Sequence, residues 1–193
     1  MQFKNYSDMA KLGFVIVTIL TFQAHSLWAD SISNAKSSMV SAYTNPTSIE
    51  ATEILWLARI LYSESKVREE QIVVAWVVRN RVESGFRGAK SYKDVATSKS
   101  QFSGLWPSDA QYKLNISRTY ETVGDKAWDQ SLGIAQAVYF ANDFLRPIGK
   151  NVRHFYSPIS VLKDPAWTEG KKPAIVLRSE TGAVRFAFYD GVR

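Results

Sequence analysis

Residues 57–82, LARILYSESKVREEQIVVAWVVRNRV, contain the pattern that decides the fold of this chain. In and just before this stretch, apolar residues recur at the i, i+3, i+4, i+7 spacing of an amphipathic helix, namely at Ile54, Leu57, Ala58 and Leu61. With Thr47 or Ser48 as the capping residue, this spacing predicts a helix that ends near Ser65. A second helix is predicted from about 69 to 83, and its few polar positions are typical of a buried helix.

Glu64 is the residue of this stretch that the apolar pattern does not explain. It follows Leu57 by seven residues and Leu61 by three, so on a helix it projects from the same face as these leucines. Burial disfavours a charged carboxylate and raises its pKa, which keeps a proton available at neutral pH, as a general acid requires. The residue pattern alone leaves open a peripheral position at the helix end, paired with Arg59 or Lys66.

The rest of the chain predicts a domain with more helix than strand. Further helical patterns cover about 91–98, 108–121 and 125–145, and strand-like segments at 174–177 and 184–189 are separated by a turn-forming sequence. We therefore expect an α+β, mainly helical, single domain with a small C-terminal β-hairpin.

The first 29 residues predict an export signal. Lys4 and Lys11 precede the apolar run 12–22, and Ala29 provides a small residue for cleavage. The run is shorter than the roughly 20 apolar residues that cross a bilayer. We expect cleavage after Ala29, with an uncleaved anchor as the alternative.

The predicted organisation is a signal peptide (1–29), a flexible linker (30–48) and one folded domain (49–193). The linker is rich in Ser, Asn and Thr and has few large apolar groups to bury. Because the chain has no cysteine that could carry a lipid, we do not expect a lipoprotein. The expected location is the periplasm or the cell wall.

Composition narrows the chemistry that the chain can carry. Its 193 residues include no cysteine and only two histidines, His25 and His154, so thiol nucleophiles, thiolate zinc sites and multi-histidine metal sites are not expected. The formal net charge is +6, yet the longest basic run, Lys171-Lys172, is too short to predict nucleic-acid binding. We expect no cofactor and no metal, and carboxylates remain as the candidate catalytic groups.

Four blocks of sequence, taken together and in order, resemble the SleB-type cell wall hydrolases. These are 57–64 with 71–82, then Gln101-Phe102-Ser103, then 154–158, and finally Trp167. The resemblance covers roughly residues 54 to 190. It implies a lysozyme-like fold and action on peptidoglycan, in a family similar to lytic transglycosylases.

The resemblance also implies roles for individual residues. Glu64 matches the family's catalytic glutamate, which would protonate the oxygen between N-acetylmuramic acid and N-acetylglucosamine and then, as a base, help the muramyl 6-hydroxyl close a 1,6-anhydro ring. The predicted substrate-binding residues are Ser65, Gln101, Phe102, Ser103, His154, Tyr156 and Trp167. Ser65 is expected to support the acid by hydrogen bonding. The alternatives are loop positions for Gln101 and Ser103, and packing roles for Phe102, His154, Tyr156 and Trp167.

Two other activities stay open at this point. A hydrolytic muramidase would need a second carboxylate, for which Glu69, Glu70 and Asp94 are the candidates. The segment 65–70 is shorter than the family's corresponding loop and lacks its glycines, which makes an equivalent role for Glu69 doubtful. A non-catalytic peptidoglycan-binding or assembly protein is the other alternative. We expect a monomer, and an envelope protein partner or an inhibitor would be a reasonable means of control.

Overall fold

The computed structural model describes residues 46–99 and 101–192, so the predicted signal peptide and all but the last three residues of the predicted linker lie outside the described residues. The described part is α+β and mainly helical, in agreement with the predicted class. Its helices are α1 (Ser48–Glu64), α2 (Arg68–Glu83), α3 (Tyr92–Thr97), α4 (Tyr112–Ser117) and α5 (Lys126–Phe140). Its strands are β1 (His154–Tyr156), β2 (Ile175–Arg178) and β3 (Val184–Tyr189).

Helix α1 begins and ends at well-defined residues. At its start, the Thr47 hydroxyl accepts a hydrogen bond from the Glu50 backbone N–H, and the Glu50 carboxylate accepts one from the Thr47 N–H, which is a capping box. At its end, Ser65 has extended backbone angles (φ −156°, ψ 158°), so Glu64 is the last helical residue. This helix therefore confirms the predicted bounds to within one residue.

The core lies where α1 and α2 pack against each other and against α5. Large side chains with almost no exposed surface fill it; they include Ile54, Leu57, Leu61, Val74, Val77 and Trp128. Burying one such aliphatic side chain contributes about 2 kcal/mol. The helix predicted to be buried, α2, has buried residues on most of its surface.

Two predicted helices are shorter than expected. The pattern over 108–121 forms only α4, because the Asp109 carboxylate accepts the Gln111 N–H in a tight turn before the helix. The pattern over 125–145 ends at Phe140, because the Arg79 guanidinium donates to the carbonyl groups of Val138 and Ala141 and satisfies the helix end there.

The C-terminal sheet has three antiparallel strands in the order β1-β3-β2, whereas the sequence predicted only the β2–β3 hairpin. The strand that the prediction missed, β1, pairs His154 with Tyr189 and Tyr156 with Ala187. Three residues are too few to show a period of two, so β1 gives no strand signal of its own. Its pairing brings His154 and Tyr156 to one edge of the sheet.

Among the helices of residues 46–99 and 101–192, none has the length and apolar character that a membrane crossing requires.

Candidate active site

Glu64 lies at the junction of two cavities that together form one cleft. The larger cavity, about 630 Å³, is called the aromatic arm here, and its lining includes Tyr156 and Trp167. The smaller one, about 370 Å³, is called the polar arm, and its lining includes Lys66, Gln111 and Asn115. Both arms are lined by Ser63, Glu64 and Ser103. A substrate that follows the cleft would therefore pass the Glu64 side chain at its middle.

Six of the seven predicted substrate-binding residues line the aromatic arm together with Glu64. They are Gln101, Phe102, Ser103, His154, Tyr156 and Trp167. They come from the segment after α3, from β1 and from the loop before β2, so the fold brings together residues that are far apart in the sequence. Their contact with a substrate stays a prediction.

Ser65 is the exception among the predicted site residues. It lines neither arm, and only 7% of its surface is exposed. Its hydroxyl donates to the Glu70 carboxylate over 2.5 Å and accepts the Val67 N–H over 3.0 Å. The expectation that Ser65 supports Glu64 by hydrogen bonding is therefore wrong in this structure: Ser65 stabilises the turn that follows the acid.

The turn after Glu64 is held mainly by Gln71. This side chain is fully buried, and its amide nitrogen donates to the Ser65 carbonyl over 2.7 Å, to the Ser131 hydroxyl over 2.7 Å and to the Leu61 carbonyl over 3.4 Å. One amide thus connects the last turn of α1, the turn itself and α5. These hydrogen bonds fix the turn that directly follows Glu64.

An ion pair between a buried carboxylate and a partly exposed arginine connects the same turn to the sheet. Glu70 is 3% exposed, and its carboxylate accepts hydrogen bonds from Ser65 and from the Arg185 guanidinium, the latter over 2.6 Å. Removing one partner of a buried pair leaves an uncompensated charge. We conclude that Glu70 has a structural position, which does not suit the second catalytic carboxylate that the sequence left open.

The carboxyl of Glu64 keeps its proton to an unusually high pH. Burial raises its pKa from 4.5 to about 7, while the positive charge of Arg81 acts in the opposite direction. Glu64 also occupies the last turn of α1, where the negative end of the helix dipole disfavours a carboxylate. Within residues 46–99 and 101–192, no salt bridge joins this carboxyl to a cation. A carboxyl in this state can donate a proton at neutral pH and accept one afterwards.

Arg81 is a buried cation whose positive charge lowers the pKa of Glu64. No role for it was predicted from the sequence. Its guanidinium Nε donates to the Arg153 carbonyl over 2.7 Å, and the rings of Phe86, Phe102 and Phe155 surround it at 5.4 to 5.8 Å. Burial lowers the pKa of Arg81 to about 10, an effect that the negative charge of Glu64 opposes. The position of Arg81 shortly after the apolar run 72–78 of a helix predicted to be buried was the signal in the sequence.

Phe102 separates two residues that line the cleft. Its side chain is 1% exposed and packs against the ring of Phe155, with the centroids 6.3 Å apart. The residues on either side of it are more exposed, Gln101 partly and Ser103 fully. Gln101 and Ser103 both line the aromatic arm.

One part of the lining of the aromatic arm is a cluster of aromatic rings around Trp167. Trp167 contacts His154 and Tyr156 with centroid distances of 5.3 and 5.8 Å, and it contacts Tyr189 edge-on at 5.3 Å. Burial raises the pKa of the Tyr156 hydroxyl well above its usual range, and hydrogen bonds with Asp164 and Tyr189 add to this. Such a cluster offers flat apolar surface with polar edges, which suits the faces of sugar rings.

The polar arm depends on a close approach at Gly104. A Cβ placed there would lie 3.2 Å from both the Asn115 amide and the Ser63 side chain. The Asn115 amide donates to the Gly104 carbonyl over 2.8 Å and so fixes the segment beside Glu64. Polar side chains line this arm, including that of Asp109.

Carboxylates near Glu64 bear on the choice between reaction types. Of the three candidates from the sequence, Glu69 and Asp94 are exposed, Glu70 is buried, and none of them lines the cleft. Asp109, which the sequence analysis did not select, is the only carboxylate besides Glu64 among the described residues that line the two arms. Its position before a short helix looked like an ordinary turn in the sequence.

In the described part of the chain, no group of three or more His, Asp or Glu side chains lies close enough to hold a metal ion. The site consists of one carboxyl with a pKa near 7, a buried guanidinium and a cleft with an aromatic and a polar half.

Comparison with known proteins gives no match, since no family model, no curated protein and no solved structure shows significant similarity to this chain.

Proposed function

We propose that this protein is an exported enzyme that cleaves the glycan strands of peptidoglycan, as a lytic transglycosylase with a lysozyme-like domain. One observation carries the proposal: a carboxyl with a pKa near 7 lies where the two arms of an elongated cleft meet. Both arms have volumes within the range of about 300–1,000 Å³ that is typical of ligand sites. A polymer can therefore occupy both sides of the acid.

In the proposed reaction Glu64 acts twice. Its proton moves to the oxygen that joins C1 of N-acetylmuramic acid to N-acetylglucosamine, the C1–O bond breaks, and N-acetylglucosamine leaves with a hydroxyl group. The Glu64 carboxylate then takes the proton from the muramyl 6-hydroxyl, whose oxygen bonds to C1 and closes the 1,6-anhydro ring. A pKa near neutrality suits both directions of proton transfer.

The lining of the cleft supports the one-carboxylate reaction. The aromatic arm has Glu64 as its only acidic residue among the described lining residues, so a second carboxylate that activates water is absent from that half. Asp109 in the polar arm favours a second candidate function, a hydrolytic muramidase, in which it would direct a water molecule.

The proposed setting follows from the sequence. A cleaved signal peptide over 1–29 would deliver the domain to the periplasm or cell wall, where peptidoglycan lies. The formal net charge of +6 gives this protein an attraction for an anionic polymer. No cofactor enters the reaction: Glu64 transfers the protons, and C1 of the muramyl residue exchanges its bond to the N-acetylglucosamine oxygen for one to its own 6-oxygen.

The experiment is a digestion of peptidoglycan sacculi in ¹⁸O-labelled water, followed by mass spectrometry of the soluble products. The proposal predicts anhydro-ended fragments without ¹⁸O at their new ends, because no water enters the reaction. Incorporation of ¹⁸O into reducing ends would identify hydrolysis, and Asp109→Asn would then abolish release. Binding to sacculi with no soluble product would identify a non-catalytic binding protein.

Matched variants connect the products to the proposed acid. Glu64→Gln should release nothing, because its side chain cannot donate or accept the proton. Glu69→Gln makes the same chemical change at an exposed glutamate outside the cleft and should digest sacculi like the unmodified protein.

A further inference from the structure

Three arginines, Arg81, Arg87 and Arg153, lie 5.2 to 5.8 Å from the ring of Phe86, which contacts His154 in the lining of the aromatic arm. Arg81, Arg87 and Arg153 all act to lower the pKa of this histidine, and burial has the larger effect, so that its pKa is about 4. Arg81, Arg87 and His154 line the arm. Glu64, whose pKa of about 7 leaves it about half protonated near neutrality, is the only carboxyl among the described residues of that lining. The part of the arm formed by Arg81, Arg87 and His154 therefore has an excess of positive charge.

Arg87 is held in a conformation that few residues adopt. Its backbone has φ 55° and ψ 30°, and it is the only residue other than glycine with a positive φ in residues 46–99 and 101–192. A left-handed backbone at such a residue costs of order 1 kcal/mol and is found preferentially at functional sites. The turn from Gly85 to Gly88 presents the Arg87 side chain to the arm.

The positive charge of Arg87 is not compensated within the described part of the chain. The salt bridges there involve other arginines, and Arg87 has a contact with the ring of Phe86 at 5.2 Å. Asp164, which does not line the arm, shares a hydrogen bond with the Tyr156 hydroxyl.

His154 adds a neutral polar ring to the lining of the arm. Only 8% of its surface is exposed, and its Nδ1 atom is buried without a hydrogen-bond partner. Such an unpaired polar atom is unusual in a folded protein.

We infer that the part of the aromatic arm formed by Arg81, Arg87 and His154 is a subsite for a carboxylate carried by the glycan substrate. Arg87 forms the charged hydrogen bond, Arg81 adds positive potential from beneath, and the His154 ring supplies a neutral polar contact. The inference rests on the proposed function and adds specificity to it: the enzyme distinguishes an acidic glycan from a neutral one.

Two carboxylates in peptidoglycan have this chemistry. One is the lactyl carboxylate of N-acetylmuramic acid, which is free on strands that have lost their stem peptides. The other belongs to the stem peptide itself. The subsite requires only the carboxylate, so the substrates of the experiment separate the two sources.

The experiment compares initial rates of soluble release from three substrates: intact sacculi, stem-free strands prepared with an amidase, and stem-free strands whose lactyl carboxylates are converted to neutral methylamides. Arg87→Gln should lower the rate about tenfold on intact sacculi if the stem carboxylate binds, or on stem-free strands if the lactyl carboxylate binds. On the neutral strands, Arg87→Gln and the unmodified protein should have equal rates.

Control variants separate this inference from folding effects and from the proposed function. Arg87→Gly suits the left-handed backbone and should behave like Arg87→Gln. Arg68→Gln removes the same charge from an exposed position outside the cleft and should leave every rate unchanged. Equal rates for Arg87→Gln and the unmodified protein on both acidic substrates would overturn the inference. Failure of the proposed function would instead appear as release that does not depend on Glu64.

Discussion

Replacing Glu64 by glutamine should stabilise the protein, and by an amount that depends on pH. Burial raises the pKa of this carboxyl from 4.5 to about 7, so the folded chain disfavours the ionised form. Each pKa unit corresponds to about 1.4 kcal/mol, which gives about 3 kcal/mol for the complete shift. Glutamine has the shape of the protonated acid and does not ionise.

The direction of the pH dependence follows from proton binding. Between pH 4.5 and about 7 the folded state holds a proton on Glu64 that the unfolded chain has lost. The free energy of unfolding of the unmodified protein therefore falls as pH rises through this window. The Gln variant lacks this loss, so its advantage should grow from near zero at about pH 4 to about 3 kcal/mol at about pH 8.

Urea denaturation of both proteins at the two pH values measures the difference. Glu69→Gln serves as the control, because this glutamate is exposed and its replacement should change stability equally at both pH values. An advantage of Glu64→Gln that is the same at both pH values would refute the reasoning, since Glu64 would then titrate as it does in the unfolded chain.

Three further predictions concern residues of the cleft and of the turn after Glu64. In Arg81→Met the pKa of Glu64 should rise, because the cation that lowers it is gone. The alkaline limb of the pH–rate profile should therefore move to higher pH, and an unchanged limb would contradict this prediction. Gln71→Leu should lower the free energy of unfolding by about 1–3 kcal/mol, since the Ser65 carbonyl loses its partner, and unaltered urea denaturation would argue against that role. Trp167→Ala should weaken binding of glycan strands about tenfold in a sedimentation assay, whereas full binding would remove this ring from the proposed sugar surface.

The parts of the fold that local sequence determines were predictable. The spacing of Leu57, Leu61 and Glu64 placed the carboxyl in line with the buried leucines, and the structure has α1 ending at that partly exposed residue. The buried character of α2 followed from its central apolar run, residues 72–78, in the same way. These predictions depend on a periodicity of 3.6 residues, which neighbours in the chain reveal directly.

The missed features depend on partners that are distant in the sequence. Strand β1 forms only because His154 pairs with Tyr189, and three residues alone carry no strand pattern. Asp109 lies in a turn, and only the fold shows that this turn borders the cleft. The left-handed backbone at Arg87 has no local signal either, since arginine does not prefer it.

Ser65 illustrates a different limit. Its position directly after Glu64 suggested a hydrogen bond to the acid, but adjacent residues at the end of a helix need not point the same way. The extended backbone at Ser65 turns its hydroxyl toward Glu70. The residue whose charge does affect the pKa of Glu64, Arg81, comes instead from the next helix.

The most direct test of the central claim is the rate at which soluble fragments leave purified sacculi with the unmodified protein and with Glu64→Gln, at neutral pH and with both proteins shown to be folded. The account predicts release by the unmodified protein and none by the variant, because the proton that cleaves the glycosidic bond comes from Glu64. Release at the same rate by both proteins would contradict it.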